Sequence, residues 1–206
     1  PADPSLSQTL AQTSQADRPH ILFCKATGRF VCWIKIMEKD GTQDYTILSA
    51  AQLLGPYKLE KEHFRPFGFS GGDFDLAQEN GEACIFFEKV HSEMICARLT
   101  PDHLDVEEGV CFLERPHPPF VREAPAHFAR ENTHYLITSG TTGYFPNPSL
   151  LCTAKQLFAA YTEAGDPHSG DLSHTSFHSQ ISSVFRIPGQ NVWIALADRW
   201  LPDCMD

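Results

Sequence analysis

The chain has 206 residues, 42% apolar and 20% charged, enough for one substantial core or two small ones. A formal net charge of −10 argues against a nucleic-acid partner, because phosphate binding needs a basic face. No apolar run approaches the roughly 20 residues of a membrane-spanning helix, so no membrane association is expected.

The first stretch, PADPSLSQTLAQTSQADRP, is polar and lacks the apolar centre of a signal peptide. Residues 1–17 read as a disordered or truncated leader, and 18–206 as the folded domain. The seven cysteines are an odd number without CxxC spacing. Cys24, Cys32, Cys84, Cys96 and Cys152 stand in or beside apolar runs, where a thiol behaves as a small hydrophobe. Neither a disulfide framework nor a zinc site is expected, and the free thiols favour a reducing, cytoplasmic compartment.

From there the chain repeats itself. A strand, HILFCK, turns at Thr27-Gly28 into RFVCWIKI. The same arrangement returns as FDLAQE, Asn80-Gly81, EACIFFEK, then as PAHFAR, Glu131-Asn132, THYLITSG, and lastly as SSVFRI, Pro188-Gly189, NVWIALAD. Successive turns lie about 50 to 58 residues apart, the length of a four-stranded antiparallel sheet with its connections. Further strands (DYTILSA, EMICARLT, SLLCTAKQLF) follow within the units. Helical periodicity is confined to QLLGPYKLE and AKQLFAAYTEA. An all-β propeller accounts for this repetition, whereas a β-sandwich has no reason to repeat at that length. RPHPPFVRE reads as a proline-rich connector between blades.

The repeat puts polar residues in register. Asp73, Glu123 and Gln180 each precede the first strand of a unit, the strand that lines a propeller's channel, and His20 holds that slot in the first unit. A lone glutamate is ordinarily a solvated charge. Carboxylates brought to one cleft from separate elements are instead what glycoside hydrolysis requires. Arg122 would oppose a raised acidity constant at Glu123 unless it points to the other face, as period-two alternation implies. TSGTTG resembles a phosphate loop, but no lysine follows and no helix opens after it, so it reads as a tight turn with exposed aromatics. His168, His174 and His178 fall in a loop-forming stretch and read as solvated. Trp200 is divided between core and sugar-stacking roles.

The blocks RPFGFSGGDFDL, NGEACIFFEKVHSEMICARLT, VREAPAHF, HYLITSGTTGYFPNPS, SFHSQISSVF and ALADRW together resemble glycoside hydrolase family 43, in particular its exo-1,3-β-galactanase branch. The resemblance covers the chain from about Arg18 onward. It implies a five-bladed propeller, of which about three and a half blades are present, truncated at both ends. It also implies an inverting mechanism on a galactose- or arabinose-type plant polysaccharide. By this resemblance Glu123 is the general acid and Asp73 the residue that raises its pKa. Gln180 replaces the usual base; a neutral amide is a poor base, so it positions the attacking water. Tyr144, Asn147, Asp198, Arg199 and Trp200 fall in sugar-binding blocks. No cofactor is required, though relatives carry a structural calcium in the channel. The competing reading is a propeller that binds carbohydrate without cleaving it.

Overall fold

A computed structural model describes Leu10 and residues 14–201. The described strands are β1 (Gln15–Cys24), β2 (Arg29–Met37), β3 (Gln43–Ala50), β4 (Lys58–Phe64), β5 (Gly71–Glu79), β6 (Glu82–Lys89), β7 (Glu93–Leu99), β8 (Val106–Phe112), β9 (Arg122–Arg130), β10 (Thr133–Gly140), β11 (Leu150–Ala154), β12 (Thr162–Gly165), β13 (Gln180–Arg186) and β14 (Trp193–Asp198). They form three four-stranded antiparallel sheets, β1–β4, β5–β8 and β9–β12, and one two-stranded sheet, β13–β14. The molecule is a partial β-propeller of three and a half blades. Most of the expected leader lies outside the described residues, and its last three residues, Gln15–Asp17, open β1.

Each blade starts with a hairpin whose turn chemistry is plain. Asn80 and Gly81 (φ 51° and 90°) and Glu131 and Asn132 (φ 51° and 58°) both place two successive residues in the left-handed region. That is the signature of the tight turn whose twist matches two antiparallel strands. Between the hairpins lies the core. In β6, Ala83, Ile85 and Phe87 pack toward the first blade with Trp33 and Tyr45, alongside Phe74 of their own sheet. The alternate residues Cys84 and Phe86 pack toward the third blade with Leu136, Cys152 and Tyr161. A sheet sandwiched between neighbours is apolar on both faces, which is why ACIFF reads as a continuous run rather than an alternation. A smaller cluster of Ala126, Ile137 and Ile181 joins the third blade to β13.

Neither helical candidate is a helix. Within QLLGPYKLE the chain turns through residues 51–54 and enters β4 at Lys58. Gly55-Pro56 cannot continue a helix. Within AKQLFAAYTEA it bends through residues 155–159 and enters β12. There the four-residue spacing of Leu157 and Tyr161 reflects two plugs dropped from a loop into the second core cluster.

Candidate active site

Every innermost strand carries the same irregularity at one end. The β1–β2 register breaks between Asp17 and His20, β5–β6 between Gly71 and Phe74, β9–β10 opposite Ile137 and Ser139, and β13–β14 between Ile181 and Ser183. A β-bulge inserts residues into one strand and re-aims their side chains. Arg18 (φ 50°) and Ala124 (φ 49°) take the left-handed backbone that such a kink needs. The bulges turn Arg18, Asp73 and Glu123 into the channel mouth, where Gln180, at the start of β13, meets them.

A continuous polar chain results. Asp73 Oδ1 lies 2.7 Å from Lys35 Nζ and 3.0 Å from Arg18 Nε. Arg18 NH2 donates to Gln180 Oε1 at 2.9 Å, and Gln180 Nε2 donates to Glu123 Oε1 at 3.1 Å. Because Arg18 can only donate, it fixes the amide with its nitrogen toward Glu123. Burial pushes Asp73 upward, but the charges of Arg18 and Lys35 and their hydrogen bonds outweigh it and hold the carboxyl below its ordinary range. Glu123 goes the other way. Burial, then the negative charges of Asp73 and Glu88, raise it from 4.5 to about 7; the Gln180 hydrogen bond and Arg18 only partly oppose this. Two carboxyls on adjacent blades are thus driven apart in acidity by their surroundings. Arg122 does not spoil the arrangement, since its guanidinium donates to Thr138 Oγ1, Thr138 O and Pro148 O.

These residues line a cleft of about 730 Å³, the size of a small-ligand pocket. Its walls include Asp17, His20, Glu88, His91, Tyr144, Asp198 and Trp200. Glu88 is buried, and its Oε1 accepts from both the backbone N–H of His91, at 2.9 Å, and Nδ1 of the His91 ring, at 2.8 Å. Tyr144 and Trp200 stand at the mouth with ring centroids 5.2 Å apart. Of the expected sugar-binding residues, Tyr144, Asp198 and Trp200 therefore reach the cleft. Asn147 and Arg199 are not among its lining residues. The Asn147 amide is engaged with Gly140 N, Gly140 O, Ser139 Oγ and Thr142 Oγ1, so it latches the TSGTTG turn. The backbone N–H groups of that turn are taken as well: Gly140 N donates to Asn147, Thr141 N to Pro119 O and Val121 O, and Thr142 N to Gly140 O. Those three are not free to cradle a phosphate.

His20 lines the cleft, yet its Nδ1 turns to Asp75 Oδ1 at 3.0 Å, and the polar position of the first blade belongs to Arg18. Arg18, Lys35, Glu88 and His91 are absent from the sequence expectations. Lys35 had a readable signal, a charge in the middle of the apolar run FVCWIKI. Arg18 had none, because its reach depends on the bulge. Among the described channel-side carboxylates, Asp73 is matched by Arg18 and Lys35, and Asp75 by His20 and the His127 N–H.

The sequence matches no protein-family model and no curated protein. Its structure matches solved ones across nearly its whole length. It superposes on a GH43 β-1,3-galactosidase with a TM-score of 0.81 at 25% identity, covering 92% of this chain and 40% of that one. It also superposes on an exo-β-1,3-galactanase from Clostridium thermocellum (TM-score 0.76, 21% identity, 91% and 42% covered). A third match is an exo-β-1,3-galactanase variant from Phanerochaete chrysosporium crystallised with β-1,3-galactotriose (TM-score 0.79, 19% identity, 98% and 46% covered). The chain has the galactanase-like fold of glycoside hydrolase family 43. It spans less than half the length of each of these three proteins. Within this galactanase-like fold, the bulged ends of the inner strands are what bring Arg18, Asp73 and Glu123 to one mouth.

Proposed function

We propose that this chain is the site-bearing part of a glycoside hydrolase that removes galactose- or arabinose-type residues from plant polysaccharide with inversion. The observation that carries the proposal is Glu123: a carboxyl raised to about 7 on a cleft wall, in contact with the one amide held by Arg18. An acid near neutrality is still protonated in the working pH range and can donate to the glycosidic oxygen as that bond breaks. Asp73 stays ionised and keeps Glu123 protonated by its charge. Gln180, oriented by Arg18, holds the water that attacks the anomeric carbon from the opposite face. The water's proton then passes to a carboxylate of the cleft, where Asp198 stands in register with Gln180 and Asp17 also lines the wall. The 3.1 Å contact between Gln180 and Glu123 leaves no room for a sugar between them, so substrate entry must part the pair.

The test is release of p-nitrophenol from aryl β-galactosides and α-arabinofuranosides by the wild type and by Glu123→Gln. Turnover that falls by about 10²–10⁴-fold in the variant supports the assignment. No turnover in folded wild-type protein overturns it. The aromatic pair Tyr144–Trp200 at the mouth favours a second reading, a propeller that binds sugar without cleaving it. That reading requires galacto-oligosaccharides to change tryptophan fluorescence equally in wild type and Glu123→Gln, with no turnover in either.

A further inference from the structure

At the far corner of the first blade, three potential metal ligands come together outside the cleft. Glu38 follows β2, Asp44 lies in β3, and His63 ends β4 (Lys58–Phe64). One ligand atom from each lies within 4.8 Å of the others. His63 Nδ1 is 3.1 Å from Glu38 Oε1 and 3.3 Å from Asp44 Oδ2. The β3–β4 register slips between Tyr45 and Ile47, and His63 there takes a left-handed backbone (φ 51°) that brings its ring over Asp44.

Hydrogen bonding alone leaves this corner incomplete. Asp44 is fully buried, and its second oxygen, Oδ1, has no partner. A buried carboxylate oxygen without a partner is costly. One Nδ1–H can serve only one of its two carboxylate neighbours well. Arg65 NH2, at 3.8 Å from Asp44 Oδ2, is too distant to complete the set. A cation at the centre takes the imidazole lone pair and an oxygen of each carboxylate together, and it reaches Asp44 Oδ1 as well if that carboxylate binds through both oxygens. Tetrahedral zinc, with bonds of about 2.0–2.1 Å to nitrogen and oxygen, separates neighbouring ligand atoms by about 3.3–3.4 Å. The two separations from Nδ1 are already near that value.

We propose that Glu38, Asp44 and His63 form a site for a divalent first-row metal ion, with zinc as the fitting case and water completing its shell. The ion would fasten the β2–β3 hairpin to the end of β4. That hairpin carries Lys35, Met37 and Gln43 onto the cleft wall, so the site buttresses the cleft without touching the reacting groups. It is independent of the activity proposed above.

The test is calorimetric titration of chelator-treated full chain with zinc chloride at pH 7.5, in parallel with His63→Ala and Glu38→Gln. Both replaced side chains are partly exposed, so the variants should fold. The expected result is one micromolar equivalent in the wild type that weakens at least tenfold in each variant. A zinc-dependent rise in melting temperature should accompany it and disappear in the variants. Absence of micromolar binding, or an isotherm unchanged by His63→Ala, overturns the proposal. The second result would show that zinc sits on other histidines or thiols, and that the three residues form only an ion-pair cluster.

Discussion

At Glu123 the surroundings favour the proposed role. To act as an acid its carboxyl must be protonated, and burial beside Asp73 and Glu88 keeps it so up to about pH 7. Activity should therefore fall as pH rises through about 7. A pH profile of kcat/KM should place this alkaline limb, and Asp73→Asn should move it down by about a unit, since the variant removes a like charge and frees Arg18 and Lys35 to favour the ionised form. The same shift bears on stability. A carboxyl raised in the folded state contributes stability that is full below its unfolded value near 4.5 and is lost as pH rises through about 7. Glu123→Gln should accordingly melt higher than the wild type at pH 8, by about 2–3 kcal/mol, and show little advantage at pH 4.5. Thermal denaturation of both proteins at the two pH values checks this. A gain of the same size at both pH values would mean that relief of the charge is not the cause.

Among the elements, the bulged start of β5 is under the tightest constraint. A Cβ added at Gly71 would come within 2.6 Å of the Tyr45 ring, and one at Gly72 would overlap Glu88 Oε2. Tyr45 has no freedom to withdraw: it is fully buried and its hydroxyl donates to Gly72 O at 2.8 Å. Gly71→Ala should destabilise the protein by about 1–3 kcal/mol in urea denaturation. The stretch Ser70-Gly71-Gly72-Asp73 is thus explained by what packs on it, with Ser70 Oγ donating to Gln43 O. The first three strands of the complete blades were legible in the sequence because dense apolar runs and Gly/Asn turns mark them. The fourth strands were not. KLEKEHF, VEEGVCF and TEAG lie at the outer edge of their sheets, where one side meets no neighbouring strand and little apolar content is required. In the candidate site, Asp73, Glu123 and Gln180 were legible from register, whereas Arg18 was not, since alternation counted from His20 carries no mark of the one extra residue that the bulge inserts.

Across the whole molecule, the blades are joined by polar ties as well as by apolar clusters. Asp75 on the second blade accepts from His127 N of the third, at 2.6 Å, and lies 3.0 Å from His20 Nδ1 of the first. Asp75→Ala would leave the His127 N–H without its partner and should cost about 2–3 kcal/mol, read from guanidinium unfolding. A loss below 0.5 kcal/mol would show that the apolar clusters alone set the spacing of the blades. The contact between Arg18 and Gln180 spans further still, joining residues 162 apart in sequence. Hairpins close early because their contacts are local, and a contact of such long range closes late. During synthesis the first blades emerge and can fold while β13 is still inside the ribosome. Until that strand arrives, Glu123 has no amide beside it and Arg18 nothing to orient. The order of synthesis therefore sets the order of assembly at this mouth: the contact between Glu123 and Gln180 forms only once β13 has docked against the sheets made before it.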